Sequence, residues 1–152
     1  MRTPSLAAVL LFGMLASTST ASAATPVNFQ DLMRKELDAW STLDANNAAP
    51  FYAQEPGYVF YDLMPLKYDG WAAYAAGVNK LFPGLTSTKF TIHDDVQTHR
   101  EGKLAWGTAT VLVQIVTKAG AHEQLEARWT VIWEKRGKKW LVVHEHLSAP
   151  VG

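Results

Sequence analysis

The stretch Leu125-Glu-Ala-Arg-Trp-Thr-Val-Ile-Trp-Glu134, Lys135-Arg-Gly-Lys-Lys139, Trp140-Leu-Val-Val-His-Glu-His-Leu-Ser148 decides the fold. Two runs rich in β-branched and aromatic residues flank a polar segment centred on Gly137, which is the signature of a β-hairpin. Successive side chains of a strand point to opposite faces. In the first arm Leu125, Ala127, Trp129, Val131 and Trp133 therefore share one face, and Glu126, Arg128, Thr130 and Ile132 share the other. Strict alternation in the second arm groups Leu141, Val143, Glu145 and Leu147, and sets Trp140, Val142, His144, His146 and Ser148 opposite. Glu145 breaks the apolar row. An unpaired carboxylate in a core is costly, so it must face a cavity, find a partner or reach solvent. Lys135, Arg136, Lys138 and Lys139 surround the turn and read as its solvated tip.

The rest of the chain supplies what covers this hairpin. Asn28 reads as an N-cap for a helix from Phe29 to Leu43, with Phe29, Leu32, Met33, Leu37 and Trp40 at helical spacing. A short helix is expected over Ala48 to Ala53, with Pro50 in its first turn. Tyr58 to Tyr61 reads as a strand and Asp62 to Asp69 as a loop. A third helix is expected from Gly70 to Phe82, capped by Asp69 and ended by Pro83-Gly84. Thr86 to His99 and Leu104 to Lys118 read as further strands. This order of helices followed by antiparallel strands predicts an α+β domain with helices on one side of a sheet.

Composition narrows the functional classes. The first residues are a basic start, an apolar run from Leu6 to Leu15 and an Ala21-Ser22-Ala23 site, the pattern of a signal peptide over residues 1–23. Cleavage after Ala23 would leave one domain, residues 24–152, that is periplasmic or secreted and has no stable membrane anchor. The apolar run is too short to span a bilayer comfortably. The 152 residues contain no cysteine, which removes thiol nucleophiles and thiolate metal sites. Basic and acidic residues number 14 each, and no basic stripe suggests nucleic acid. Neither Gly-x-Ser-x-Gly nor a phosphate-binding glycine loop occurs. Six tryptophans favour an aromatic-lined pocket or an interface.

Arg128-x-Thr130, Trp133, the Gly137 turn, Trp140 and Val143-His-Glu-His-Leu-Ser-x-Pro150 resemble the C-terminal hairpin of SnoaL-like domains, in the nuclear transport factor two-like superfamily. The resemblance covers nearly all of residues 24–152. It implies a cystatin-like cone, in which a curved, mainly antiparallel sheet holds three helices on its concave side around a pocket. Relatives include ketosteroid isomerases and polyketide cyclases, which use an Asp base, and the kinase association domain. Asp62 falls roughly where the isomerases place their base, although the first helix here lacks their tyrosine. The pocket arginines of the association domain match Val111, Val131 and Leu147, all apolar, which argues for a neutral ligand. The resemblance also implies that His144 and His146 are framework residues.

Three functions stay open at this stage. The first is a pocket for a small apolar or weakly polar molecule, lined by Tyr58, Phe60, Tyr74, Phe82, Trp106 and Trp129 with Arg128, His144 and His146 nearby. Such a pocket needs on the order of 300 Å³ or more for a drug-sized ligand. The second is an isomerase or cyclase-type enzyme with Glu145 or Asp62 as general base, since an apolar pocket raises a carboxylate's proton affinity. The third is an assembly module, a homodimer through the outer face of the sheet, with a vestigial pocket. His144-x-His146, with His93, His99 or His122 as a third ligand, is too loose a pattern to name a metal. No metal and no cofactor is expected. Fold alone does not choose among the three.

Overall fold

The computed structural model describes residues 26–150, so the expected signal segment lies outside the described residues. Helix α1 spans Phe29–Trp40, and the Asn28 side chain accepts from the Asp31 amide, a cap worth about 1 kcal/mol. Its apolar stripe of Phe29, Met33, Leu37 and Trp40 is buried. The second helical segment starts earlier than the sequence predicts. Asp44 caps helix α2, Ala45–Ala48, by accepting from the Asn46 amide. A 3-10 turn, Ala49–Phe51, follows. Pro50, which has no amide to donate, marks where the α-helix gives way.

Strand β1 is Val59–Tyr61 and strand β2 is Tyr68–Asp69, a pairing inside the stretch read as a loop. Helix α3 runs Trp71–Leu81, with Gly70 rather than Asp69 at its N-cap and at a positive φ of 85°. Asp69 instead pairs with Lys67. The stretch read as one strand from Thr86 to His99 is two: β3, Leu85–Ile92, and β4, Gln97–Glu101. Both pair with β5, Leu104–Thr117, along its two halves. Asp95, in the bend between them, accepts from the Thr110 amide and hydroxyl. This explains the break: the chain is anchored to β5 at that point.

Strands β6, His122–Arg136, and β7, Lys139–Ser148, form the expected hairpin. The sheet order is β2-β1-β7-β6-β5-β3, all antiparallel except β1 with β7. It is an open, curved sheet with the three α-helices on one side. On β5 the inward row Ala105, Gly107 and Ala109 is small and faces Trp133, Val131 and Trp129 across the ladder. Small residues let the helix approach: a Cβ on Gly107 would lie 2.7 Å from the Met33 sulfur of α1.

The second arm departs from strict alternation. Ile132 pairs with His144 while Trp133 pairs with Val142, so Val143 is an extra, unpaired residue. Such a β-bulge switches which face the following side chains occupy. Trp140 and Val142 point inward before the bulge, and Glu145 points inward after it. The grouping of Leu141 with Glu145, and of Trp140 and Val142 with the histidines, is thereby corrected. A core cannot bury both Trp140 and Glu145 on one straight strand, because they differ in parity.

Candidate functional site

A cavity of about 200 Å³ lies between helices and sheet. Leu37 and Trp40 of α1 line one side, and Tyr74 and Val78 of α3 join them. Phe90, Val113, Trp129 and Leu147 form the sheet side. Met64 and Leu81 line it yet are 73% and 53% exposed, so they mark its mouth. The walls are almost wholly apolar. The polar exceptions are Asp62, Tyr74 and Glu145, which lie together, and Thr88 of β3, whose buried hydroxyl has no hydrogen-bond partner. The volume is below that of a drug-sized pocket but exceeds the roughly 150 Å³ that encloses benzene.

Beside the cavity the rings interlock. Tyr74 packs on Trp40, Phe60 and Tyr68 with centroids 5.2, 5.4 and 4.8 Å away. Tyr52 stacks on Trp71 at 4.7 Å. The aromatic cluster therefore fixes the polar end in place and leaves the void on its sheet side.

Glu145 is 3% exposed and sits in this wall. Its Oε2 accepts from the Tyr52 hydroxyl at 2.9 Å and from the Trp129 indole N–H at 3.2 Å. Burial pushes its carboxyl up to about 7, against the pull of the Tyr74 hydroxyl; the nearby Asp62 charge raises it further. Asp62 is partly buried just after β1 and accepts from the Leu63 amide at 2.7 Å. The Tyr74 hydroxyl makes a long contact of 3.5 Å to its other oxygen. Burial raises the Asp62 carboxyl, and those two donors oppose the rise. Burial also lifts the Tyr74 phenol well above its usual range, helped by Asp62 and Glu145. A cavity end with two proton-hungry carboxyls and a neutral phenol can donate to, or take a proton from, a polar group on an otherwise apolar ligand.

A second buried acid was not anticipated. Glu36 of α1 is fully buried, and its Oε1 lies 3.0 Å from the Tyr52 hydroxyl. The Trp40 indole N–H donates to the same phenolic oxygen at 2.8 Å. Burial raises the Glu36 carboxyl well above its ordinary value, and the Glu145 charge adds to the rise. The signal was present in the sequence. Glu36 falls seven residues after Phe29 and four before Trp40, inside the apolar stripe, as Glu145 falls inside an apolar row. Tyr52 carries no such signal, because it follows Pro50 in an irregular segment.

The other residues singled out divide between core, rim and outer face. Tyr74, Phe82 and Trp129 line the cavity with Asp62 and Glu145. Phe60 is buried in the ring cluster behind Tyr74. Tyr58 is away from the cavity, where its hydroxyl accepts from Arg136. Trp106, Arg128, His144 and His146 lie on the outer face, because they alternate with the buried row. Trp106 stacks on His99 at 5.3 Å. His144 Nδ1 lies 2.8 Å from the Val59 carbonyl oxygen, and the Tyr61 ring packs 5.5 Å from both histidine rings. These four, with Tyr58, do not line the pocket. His93 meets Glu126 at 2.9 Å. Among the described residues no three His, Asp or Glu side chains converge as a metal site.

The family of SnoaL-like domains matches residues 30–152. A nuclear transport factor two-like superfamily protein from Salmonella enterica shares 16% identity and a TM-score of 0.74, over 82% of this chain and 89% of that one. A nuclear transport factor two-like protein from Pseudomonas putida shares 25% identity and a TM-score of 0.68, over 82% and 85%. The association domain of Caenorhabditis elegans CaMKII shares 18% identity and a TM-score of 0.64, over 80% and 92%. No curated protein matches the chain.

Proposed function

Because the chain belongs to the SnoaL-like domain family, we propose that its cavity binds one small, neutral, mostly apolar molecule, of about single-ring size, that carries a hydrogen-bonding group. The observation that supports this reading is the placement of Glu145, Asp62 and Tyr74 together in a void whose remaining lining, Thr88 apart, is apolar. The ring would occupy the Phe90, Val113 and Trp129 side, and its carbonyl or hydroxyl would meet the acids. Lysine, arginine and histidine are absent from the lining, so an anionic ligand finds no counter-charge. A ligand favouring the folded state raises its Tm. Thermal shift with cyclohexanone, p-cresol, benzoate and a four-ring steroid tests the reading. The first two should raise the Tm. No shift with either, or a shift with benzoate alone, overturns it.

One observation favours a second reading, an isomerase or cyclase-type enzyme. A carboxyl pushed up to about 7 is half ionised near neutrality, where a general base or acid works best. Glu145 would then take a proton from the ligand, with Tyr74 or Asp62 donating to its oxygen. Solvent hydrogen exchange at the carbon next to the cyclohexanone carbonyl, lost in Glu145→Gln, tests this. We further propose that the mature protein is exported after cleavage behind Ala23 and dimerises through the outer sheet face. N-terminal sequencing of the protein from its host tests the first point. Sedimentation of wild type and Arg128→Glu tests the second.

A further inference from the structure

Tyr52 has one hydroxyl proton and two carboxyl neighbours. Its oxygen lies 3.0 Å from Glu36 Oε1 and 2.9 Å from Glu145 Oε2, while the Trp40 N–H donates to it at 2.8 Å. A phenol donates one hydrogen bond and accepts two. It can serve only one carboxylate as donor, so one of the two carboxyls must bring a proton of its own and donate to the phenolic oxygen. With both ionised, one carboxylate would face a lone pair at hydrogen-bond distance in a dry interior. A second observation points the same way. Glu36 is fully buried and its Oε2 has no hydrogen-bond partner, which a protonated carboxyl tolerates better than a charged one.

We propose that Glu36, Tyr52 and Glu145 form a proton relay, in which Glu36 is a positioning residue that stores the proton for the cavity-facing Glu145. The relay has two arrangements. In one, the Glu36 O–H donates to Tyr52 and the Tyr52 O–H donates to the Glu145 carboxylate. In the other, the Glu36 proton has passed to the Tyr52 oxygen and the Tyr52 proton to Glu145 Oε2. Two O–H bonds break and two form, and the single negative charge moves from Glu145 to Glu36. Tyr52 accepts from Trp40 in both.

Each end has its own indole. Trp129 donates to Glu145 at 3.2 Å, stabilising the first arrangement. The Trp133 indole nitrogen lies beside Glu36, favours its charged form, and has no well-formed hydrogen-bond partner. It is the group that would serve Glu36 in the second arrangement. The ionisable groups facing the pair come from every neighbouring element: Tyr52 just after the 3-10 turn, Asp62 from the loop after β1 and Tyr74 from α3. The ion pairs of the described residues all lie elsewhere, so no cation holds both acids charged.

This inference rests on the reading that Glu145 faces the ligand, but its test separates the two. Infrared titration of the unliganded full chain, with Asp62→Asn throughout to remove the third raised carboxyl at this end of the cavity, follows the carboxylic-acid carbonyl bands in the otherwise wild-type chain, Glu36→Gln, Tyr52→Phe and Glu145→Gln. Interacting acids lose their protons in two steps that belong to the pair. Wild type should retain an acid band at neutral pH and titrate in two steps. Glu36→Gln keeps a neutral donor to Tyr52, so the fold survives. It should lose one band and titrate in a single step. Tyr52→Phe should shift the step assigned to Glu145 upward, because that carboxylate loses a donor. If Tyr52→Phe does not fold, Glu36→Gln decides alone. A single step in wild type, or an unchanged titration in Glu36→Gln, overturns the relay whatever binds. Two steps in wild type collapsing to one in Glu36→Gln support it, even if cyclohexanone and p-cresol leave the Tm unmoved and the cavity reading fails.

Discussion

The two faces of β6 and β7 are built from alternate residues of one hairpin, yet their chemistry is opposite. The inner face carries Trp129, Val131, Trp133 and Glu145, all at most 3% exposed. The outer face carries Arg128, Thr130, His144 and His146 and meets solvent or neighbouring rings. An acid on the outer face, Glu126, pairs with His93 at the surface. The acid on the inner face finds no cation and is held by a phenol and an indole instead. Position relative to the pleat, rather than residue type, decides whether an acid here meets a surface histidine or is held by neutral donors in the interior.

The most damaging way to break this contrast is to remove Thr130 from the unbulged first arm. Trp129 and Val131 would become neighbours, and side chains alternate with a period of two, so both could not face inward. Either Ala127 and Trp129 or Val131 and Trp133 would leave the core. Deletion of Thr130 should abolish the cooperative urea transition and the near-ultraviolet circular dichroism. Deletion of Val143 removes the extra residue, leaves Trp140, Val142 and Glu145 at even spacing and should keep native-like spectra; the reverse result would show that the bulge does not set the faces.

Truncating one residue on each face gives the next largest effect. Trp129→Ala should cost about 3–5 kcal/mol, the range for large buried aromatics. Glu126→Ala, three residues earlier on the outer face, should cost under about 0.5 kcal/mol, as exposed ion pairs contribute little. Urea midpoints compare the two, and similar costs would dissolve the distinction.

The pH dependence sharpens it further. The Glu145 carboxyl is raised from an ordinary 4.5 to about 7 in the fold. The folded state therefore binds more protons than the unfolded state across that window, and stability falls as pH rises through it. The contribution is full below 4.5 and gone above about 7, and it is on the order of 3 kcal/mol. Glu145→Gln should flatten the profile between those limits, read by denaturant unfolding at a series of pH values. An unaltered slope would place the carboxyl in water. Gly107→Ala is the mildest test of the inner face. Its Cβ would meet Met33 and, at 3.0 Å, Trp133, so it should cost about 1–2 kcal/mol through overpacking. Thr108→Ala, pointing outward, should be nearly silent.

Features set by neighbours along the chain were legible in the sequence. The Asn28 cap, the apolar stripe of α1, the span of β5 and the Gly137 turn all depend on residues within a few positions. The faces of the first arm were readable because β6 alternates without interruption there. The second arm was not, because a bulge is chosen by register against a partner strand. Glu145 stood out as an acid in an apolar row, and the cavity explains it. Glu36 stood in an equally apolar stripe, yet helices tolerate acids on most faces and the exception is visible only once the stripe is known to be buried. That Tyr52 joins the two acids depends on a meeting of α1, the 3-10 segment and β7, which no local pattern encodes. The outward placement of Trp106, Arg128, His144 and His146 follows from alternation; treating them as pocket neighbours gave aromatic and donor content more weight than facing.

The buried Glu36 has a consequence for how the chain assembles. In an unfolded chain at neutral pH this carboxyl is ionised, since its ordinary value is 4.5. The native interior keeps one hydrogen between this carboxyl and Glu145, because the Tyr52 hydroxyl can donate to only one of them. Each molecule that folds must therefore draw a hydrogen ion from the surrounding water, and an unbuffered solution of refolding protein should turn measurably alkaline.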